Sequence, residues 1–290
     1  ELSMNFLSDV MRIAFLGPGG SYAEIAKDEF KDKYDIYPEE KPLNMISRVI
    51  DFVDDNPQSI GVIPIENSIE GAVRESSDCL IKTKNPNIRI LSELVIPIHH
   101  CLLSKVTELY SITGVISHPQ ALAQCHNFIS TQLPMNLDIV RASSTAEAAR
   151  MLDAYNLTYS AIGSKKTAQL YNLNIICENI NDEPNNQTRF ALIGDYETPI
   201  TGNDKTSIAF STENKSGALL EMLEIFFKHN INMSYIDSRP SKTKFGEYTF
   251  YVDFDGHCNE EKIHNAIEEI KSKAKFYRLV GSYEKHHMAE

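Results

Sequence analysis

Ser59 to Ile65, SIGVIPI, is a β-branched apolar run without polar alternation. A strand of that kind is covered on both faces, as in a parallel sheet flanked by helices. The sequence around it supplies the helices. Met11 to Leu16 (MRIAFL) is another short apolar run, cut off by Gly17-Pro18-Gly19-Gly20 and followed by a helical pattern from Ser21 to Phe30. A further helix is expected over Met45 to Asp54. Leu94 to Leu103 (LVIPIHHCLL) reads as one longer strand, bent or at an edge because of Pro97. Short strands at Gly114 to Ser117, Leu137 to Ala142 and Ser160 to Gly163 each lead into a helix. Leu173 to Cys177 and Arg189 to Gly194 close the series. This alternation predicts a doubly wound α/β architecture.

The rhythm changes after Thr198 to Asp204 (TPITGND). Ser207 to Ser211, Ser234 to Arg239, Glu247 to Phe254 and Phe276 to Tyr283 read as strands, with helices over Gly217 to Asn230 and Glu260 to Lys273. The order βαββαβ is the ferredoxin-like topology. A chain of 290 residues suits two domains, placed here at 11–200 and 204–283. The first ten residues read as an extension before the folded part, and Lys285 to Glu290 as a frayed tail.

Acidic residues outnumber basic ones, 40 to 28, for a formal charge of -12. Nucleic-acid binders draw affinity from basic residues on phosphate, so DNA, RNA and anionic membrane surfaces are poor partners for this chain. No apolar run approaches the ~20 residues that span a bilayer, and no signal peptide is recognisable at Glu1 to Val10. The five cysteines are scattered without C-x-x-C spacing, which predicts reduced thiols in a cytoplasmic protein and no metal centre.

Five segments at strand ends carry groups able to do chemistry. Gly17 to Tyr22 puts a glycine turn and Ser21 at a helix start, where backbone N–H groups attract anions. The G-x-G-x-x-G spacing of dinucleotide sites is absent. Pro64 to Gly71 brings Glu66, Asn67 and Ser68 to the end of a buried strand, the usual place for ligands in an open α/β sheet. Ser117 to Leu122 contains His118 and Gln120, and Ser143 to Glu147 holds Thr145 inside an S-x-x-E capping box. Asn186 to Phe190 offers Thr188 and the planar fork of Arg189. Each alone reads as a turn or cap. Together they suit a small organic anion handled by hydrogen bonds and proton transfer.

The segments GPGGSYAEIA, PIENSIEG, SHPQALAQC, STAEAA and NQTRFALIG resemble, in order, the motifs of the prephenate dehydratase family. Gly217-Ala218-Leu219-Leu220 and Asp237-Ser238-Arg239-Pro240 resemble those of an ACT regulatory domain. The resemblance covers about residues 11 to 283. Ser21 and Tyr22 replace the family's usual threonine and phenylalanine, keeping a hydroxyl and a ring. Asp237 replaces a glutamate, one methylene shorter.

The resemblance implies a two-lobed catalytic part, similar to periplasmic binding proteins, with its active site in the cleft. The reaction would be prephenate to phenylpyruvate, water and carbon dioxide, driven by aromatisation and needing no cofactor. Thr188, Glu66 and Asn67 are the expected catalytic residues, with Glu66 or a water it orients completing a proton relay to Thr188. Arg189 is expected to anchor a substrate carboxylate, supported by Ser21, Ser68, Gln120, Thr145 and Phe190. L-phenylalanine is the expected effector, held near Gly217, Ala218, Leu219, Leu220, Asn232, Asp237, Ser238 and Arg239 at a two-fold interface in a homodimer or homotetramer. Arogenate as substrate, or a non-catalytic binding module, are the alternative readings.

Overall fold

The computed structural model describes residues 5–241 and 246–286. The first lobe contains β1 (Arg12–Leu16), α1 (Tyr22–Tyr34), β2 (Glu39–Leu43), α2 (Ile46–Asp55), β3 (Ser59–Asn67), β4 (Gly71–Ala72), α3 (Arg74–Leu80) and β5 (Arg89–Pro97). The chain then crosses to a second lobe: β6 (Cys101–Ser104), β7 (Gly114–Ser117), α4 (Pro119–Gln124), α5 (His126–Gln132), β8 (Asp138–Arg141), α6 (Thr145–Met151), β9 (Tyr159–Gly163), α7 (Lys165–Leu170) and β10 (Asn174–Cys177). It returns to the first lobe as β11 (Gln187–Gly194). The C-terminal part follows as β12 (Asp204–Ser211), α8 (Ala218–Lys228), β13 (Met233–Pro240), β14 (Tyr248–Asp255), α9 (Glu261–Lys273) and β15 (Phe276–Glu284).

The expected single strand across 94–103 is two strands in two sheets. β5 belongs to the first lobe and β6 to the second, and the chain passes between lobes at Ile98 to His100. Pro97 ends β5, consistent with a residue that cannot donate to a ladder. β2, sequence EEKPL, escaped the sequence reading because it is a charged, proline-containing edge strand.

β1 runs parallel to β2 and β3, whereas β11 lies antiparallel between β3 and β5. The sheet is therefore mixed. The C-terminal strands join it: among the described residues, β13-β14-β12-β15-β5-β11-β3-β1-β2 is one continuous order, linked where Gly281 of β15 pairs with Ile90. A Cβ on Gly281 would stand 2.4 Å from the Ile90 carbonyl oxygen, so only glycine permits this approach.

Polar contacts reinforce the junction. The buried Arg278 guanidinium donates to carbonyls of Leu80, Ile81, Asn85 and Ile88 and to Thr83 Oγ1. Asp78 on α3 accepts from Arg239 Nη2 at 2.9 Å and Tyr251 Oη at 3.2 Å. Two terminal expectations are corrected. Leu7 is fully buried in the first-lobe core, with Phe6 and Val10 beside it, so residues 6–10 belong to the fold. Lys285 pairs with Asp255, and the backbone N–H groups of Lys285 and His286 donate to Asn203 and Glu93; 287–290 lie outside the described residues.

Candidate active site

The lobes enclose a cavity of about 410 Å³. Helices α1, α4 and α6 all begin at its wall, capped by Ser21, His118 and Ser144, whose side chains each accept an N–H of the first turn. Helix N-termini expose N–H groups and the positive end of the peptide dipoles. No lysine or arginine lines the cavity among the described residues, so these ends and neutral donors set its charge preference.

Thr188 and Asn67 sit opposite each other on β11 and β3. Asn67 Nδ2 donates to Thr188 Oγ1 at 2.9 Å, Asn186 Oδ1 at 3.0 Å and the Gln187 carbonyl at 3.2 Å. Its Oδ1 accepts the N–H groups of Ile69 and Glu70, fixing the amide orientation. Thr188 thus accepts a hydrogen bond from the protein, and its proton is left for the cavity.

A polar network continues across the lobes. Asn186 Nδ2 donates to Gln124 Oε1 at 2.9 Å, and the same oxygen lies 2.8 Å from His100 Nε2. His100 Nδ1 faces the Tyr22 hydroxyl at 3.3 Å. The Gln124 carbonyl oxygen requires a donor, which assigns the His100 proton to Nε2. Burial pushes the His100 pKa down and that of Tyr22 up, so both stay neutral. Glu70 bridges the lobes by accepting from Gln120 Nε2 at 2.6 Å and Gln124 Nε2 at 3.4 Å.

Of the expected residues, Ser21, Asn67, Gln120, Thr145, Thr188 and Phe190 line the cavity. Ser21 donates its proton to the Leu16 carbonyl, so it shapes the turn. Three expectations are corrected. Side chains alternate along a strand, and with Thr188 and Phe190 facing the cleft, Arg189 lies on the reverse of the sheet. Its register partner Glu66 lies there too, with Arg189 Nε 3.6 Å from Glu66 Oε2. Neither residue lines the cavity, so Arg189 is not placed to hold a carboxylate in it, nor Glu66 to relay a proton to Thr188. Ser68 ties the strand instead: its Oγ accepts from Gln187 N at 3.0 Å. Tyr22, Asn44, His100, Gln124 and Ser143 also line the cavity, with Asn186 and Glu70 bonded behind it. The segments carrying Tyr22 and His118 were visible in the sequence; the His100–Gln124–Asn186 network required tertiary contacts.

In the C-terminal part Gly217 caps α8 at φ 81°, Ala218 is buried and Leu220 is exposed. Asn232 Nδ2 donates to Asp255 at 3.2 Å. Asp237 and Arg239 turn toward the first lobe, Asp237 lining a gap against Glu66 and Arg189, and Arg239 pairing with Asp78. The structure therefore does not group these two with the α8 start. Ser238, between them, is exposed on the other face of β13.

The architecture defines a class: a two-lobed α/β protein with an inter-lobe cleft of hydroxyls, amides and helix N-termini, and a small βαββαβ domain packed on its first lobe. The chain belongs to the prephenate dehydratase family, whose model matches residues 13–198, with an ACT domain matching 206–273. It is 42% identical over 273 residues to the prephenate dehydratase of Methanocaldococcus jannaschii, spanning 92% of this chain and 95% of that protein. It is 37% identical over 279 residues to the bifunctional chorismate mutase/prephenate dehydratase of Aquifex aeolicus, spanning 96% and 75% respectively. The crystal structure of Arthrobacter aurescens prephenate dehydratase in complex with L-Phe matches with a TM-score of 0.85 at 31% identity, over 95% of this chain and 90% of that one.

Proposed function

We infer that the chain converts prephenate to phenylpyruvate in the inter-lobe cleft. The ring carboxylate leaves as carbon dioxide, its bonding electrons aromatise the ring, and the ring hydroxyl departs with one proton as water. The observation that carries this reading is the Asn67–Thr188 hydrogen bond on the cleft wall, which leaves a hydroxyl proton directed away from the protein. Thr188 hydrogen-bonds the departing oxygen as charge develops on it, the kind of contact that matters most in a site with little water. The two carboxylates are held by the α1, α4 and α6 N-termini with Thr145 and Gln120, in place of an arginine. Phe190 supplies an apolar wall for the ring.

We assign L-phenylalanine as the effector of the ACT domain, with Gly217 to Leu220 and Ser238 as its contact residues across a pair of such domains in a homo-oligomer. The exposed Leu220, Phe227 and Ile236 give that pairing an apolar surface. All five cysteines are free, which fits a reducing cytoplasmic setting; no described helix is long and apolar enough to cross a membrane. The test is phenylpyruvate release from prephenate by purified protein, with arogenate in parallel. A ratio of kcat/KM favouring prephenate is expected. A folded protein inert toward prephenate would overturn the assignment.

A further inference from the structure

Behind Thr188 lies a buried ion cluster that the reaction does not touch. Glu93 on β5 is 3% exposed. It accepts Arg189 Nη1 at 3.3 Å on Oε2, and Lys205 Nζ at 3.0 Å on Oε2 and 3.3 Å on Oε1. Lys205 belongs to β12 of the C-terminal domain and is buried, its Nζ 5.3 Å from the Tyr283 ring centroid. One carboxylate therefore joins the strand that carries Thr188 to the regulatory domain.

We propose that Lys205 is a positioning residue for the cleft: through Glu93 it holds Arg189 on the back of β11, and thereby Thr188 on the front. The proposal rests on the cleft being the dehydratase site. Three observations carry it. Thr188 and Arg189 are neighbours on one strand with opposite facings, so the rotation that seats one aims the other. The β11–β3 register shifts between Arg189 and Phe190, so the ladder is irregular where Thr188 must be aimed. Bulges of this kind re-aim side chains beside active sites and leave the strand dependent on other anchors. Finally, burying three charges is a poor way to gain stability, since apolar residues of similar volume usually hold two surfaces together as well or better. What such a cluster supplies is a defined position.

The cluster also meets the edge of the regulatory domain. A gap of about 100 Å³ beside Arg189 is lined by Glu66, Tyr235, Asp237 and Asp253 as well as Lys205. Displacement of β13 changes the charges facing Arg189, which gives the domain a physical route to Thr188 through the strand.

The test is steady-state kinetics on prephenate with the full chain. Lys205→Met keeps the stem and removes the charge. We expect kcat to fall about tenfold with KM nearly unchanged, within the range that residues of one charge network transmit to one another. Lys205→Arg should restore most of the rate, and Glu93→Gln, which keeps the shape, should reproduce the kcat-selective loss. The double variant should be no slower than the slower single one. Thermal unfolding separates folding from positioning: a loss that disappears when rates are expressed per folded protein overturns the proposal, as does wild-type kcat in Lys205→Met or failure of Lys205→Arg to rescue. A wild-type chain inert toward prephenate would instead remove the dehydratase reading, and the positioning role with it.

Discussion

Asn67 Nδ2 donates to Thr188 Oγ1 over 2.9 Å, between register partners of adjacent antiparallel strands. Both ends of this bond are fixed by backbone, since Asn67 Oδ1 also accepts two N–H groups of the following turn. Thr188→Ala removes the donor and should lower kcat by about 10²–10³, the usual cost of losing one preorganised donor, with KM little changed. Thr188→Ser should keep part of the rate. Asn67→Asp replaces the donor by an acceptor, turns the Thr188 proton toward the protein and should lower kcat comparably. Initial rates with circular dichroism on each variant check this; a folded Thr188→Ala enzyme at wild-type rate contradicts it.

Arg189 gives a different expectation because it does not line the cleft. An arginine anchoring substrate would raise KM when changed to lysine. Here Arg189→Lys loses the fork between Glu66 and Glu93 while leaving the cavity wall intact, so kcat should fall several-fold and KM should hold. A rise confined to KM would show that the side chain reaches the substrate.

The pair Glu66 and Arg189 shows what was legible in the sequence and what was not. The motifs containing them, their order and their places at strand ends were all readable. Their facing was misread because β3 runs on to Asn67 and β11 starts at Gln187, so residues taken as loop obey strand alternation. The lobes and the βαββαβ order followed from hydrophobic pattern, whereas fusion of two sheets through Gly281 and Ile90 did not, since one backbone pairing leaves no periodic trace. His100 was hidden inside an apolar run read as one strand; its role depends on Gln124 and Tyr22, distant in sequence.

His100 predicts a pH dependence. Burial is the main cause of its lowered pKa, the charge of His99 adds to it and the Gln124 hydrogen bond opposes it. The folded protein therefore disfavours protonation relative to the unfolded chain. Its contribution to stability is present above the ordinary value of 6.5 and is lost as pH falls below it toward the folded value. Protonation also adds a donor at Nδ1, next to the Tyr22 hydroxyl. Unfolding midpoints measured from pH 8 to 5 should fall on the acid side, and His100→Asn should flatten that fall. An identical slope in the variant would place the titrating group elsewhere.

Arg278 predicts the strength of the domain junction. Its guanidinium is the shared donor for carbonyls at the end of α3 and in the following loop, all within the first lobe. Arg278→Ala leaves these acceptors facing a buried gap. It should cost about 3 kcal/mol, given ~1–3 kcal/mol for each buried group left unpaired and partial relaxation. Denaturant unfolding should show the loss, with Arg278→Lys recovering part of it. A change below about 0.5 kcal/mol, the scale of ordinary surface substitutions, would mean that water satisfies the carbonyls.

Gly217 predicts how the effector response can be separated from catalysis. It caps α8 at φ 81°, a left-handed conformation costing ~1–2 kcal/mol for a residue with a Cβ. A Cβ built there meets nothing within 4 Å in the chain itself. Substitution therefore creates no internal clash, and its consequences fall on the local backbone and on whatever approaches the α8 N-terminus. Gly217→Val puts a branched side chain at that approach while leaving the cleft untouched. Calorimetric titration with L-phenylalanine should show binding weakened by tenfold or more, since ~1–2 kcal/mol of strain and lost contact equals that factor or exceeds it, and inhibition should weaken in parallel. The uninhibited kcat should stay within about twofold of wild type. Unchanged phenylalanine affinity in the folded variant would move the effector site away from α8, and a large loss of uninhibited rate would show that the helix start communicates with the cleft without ligand.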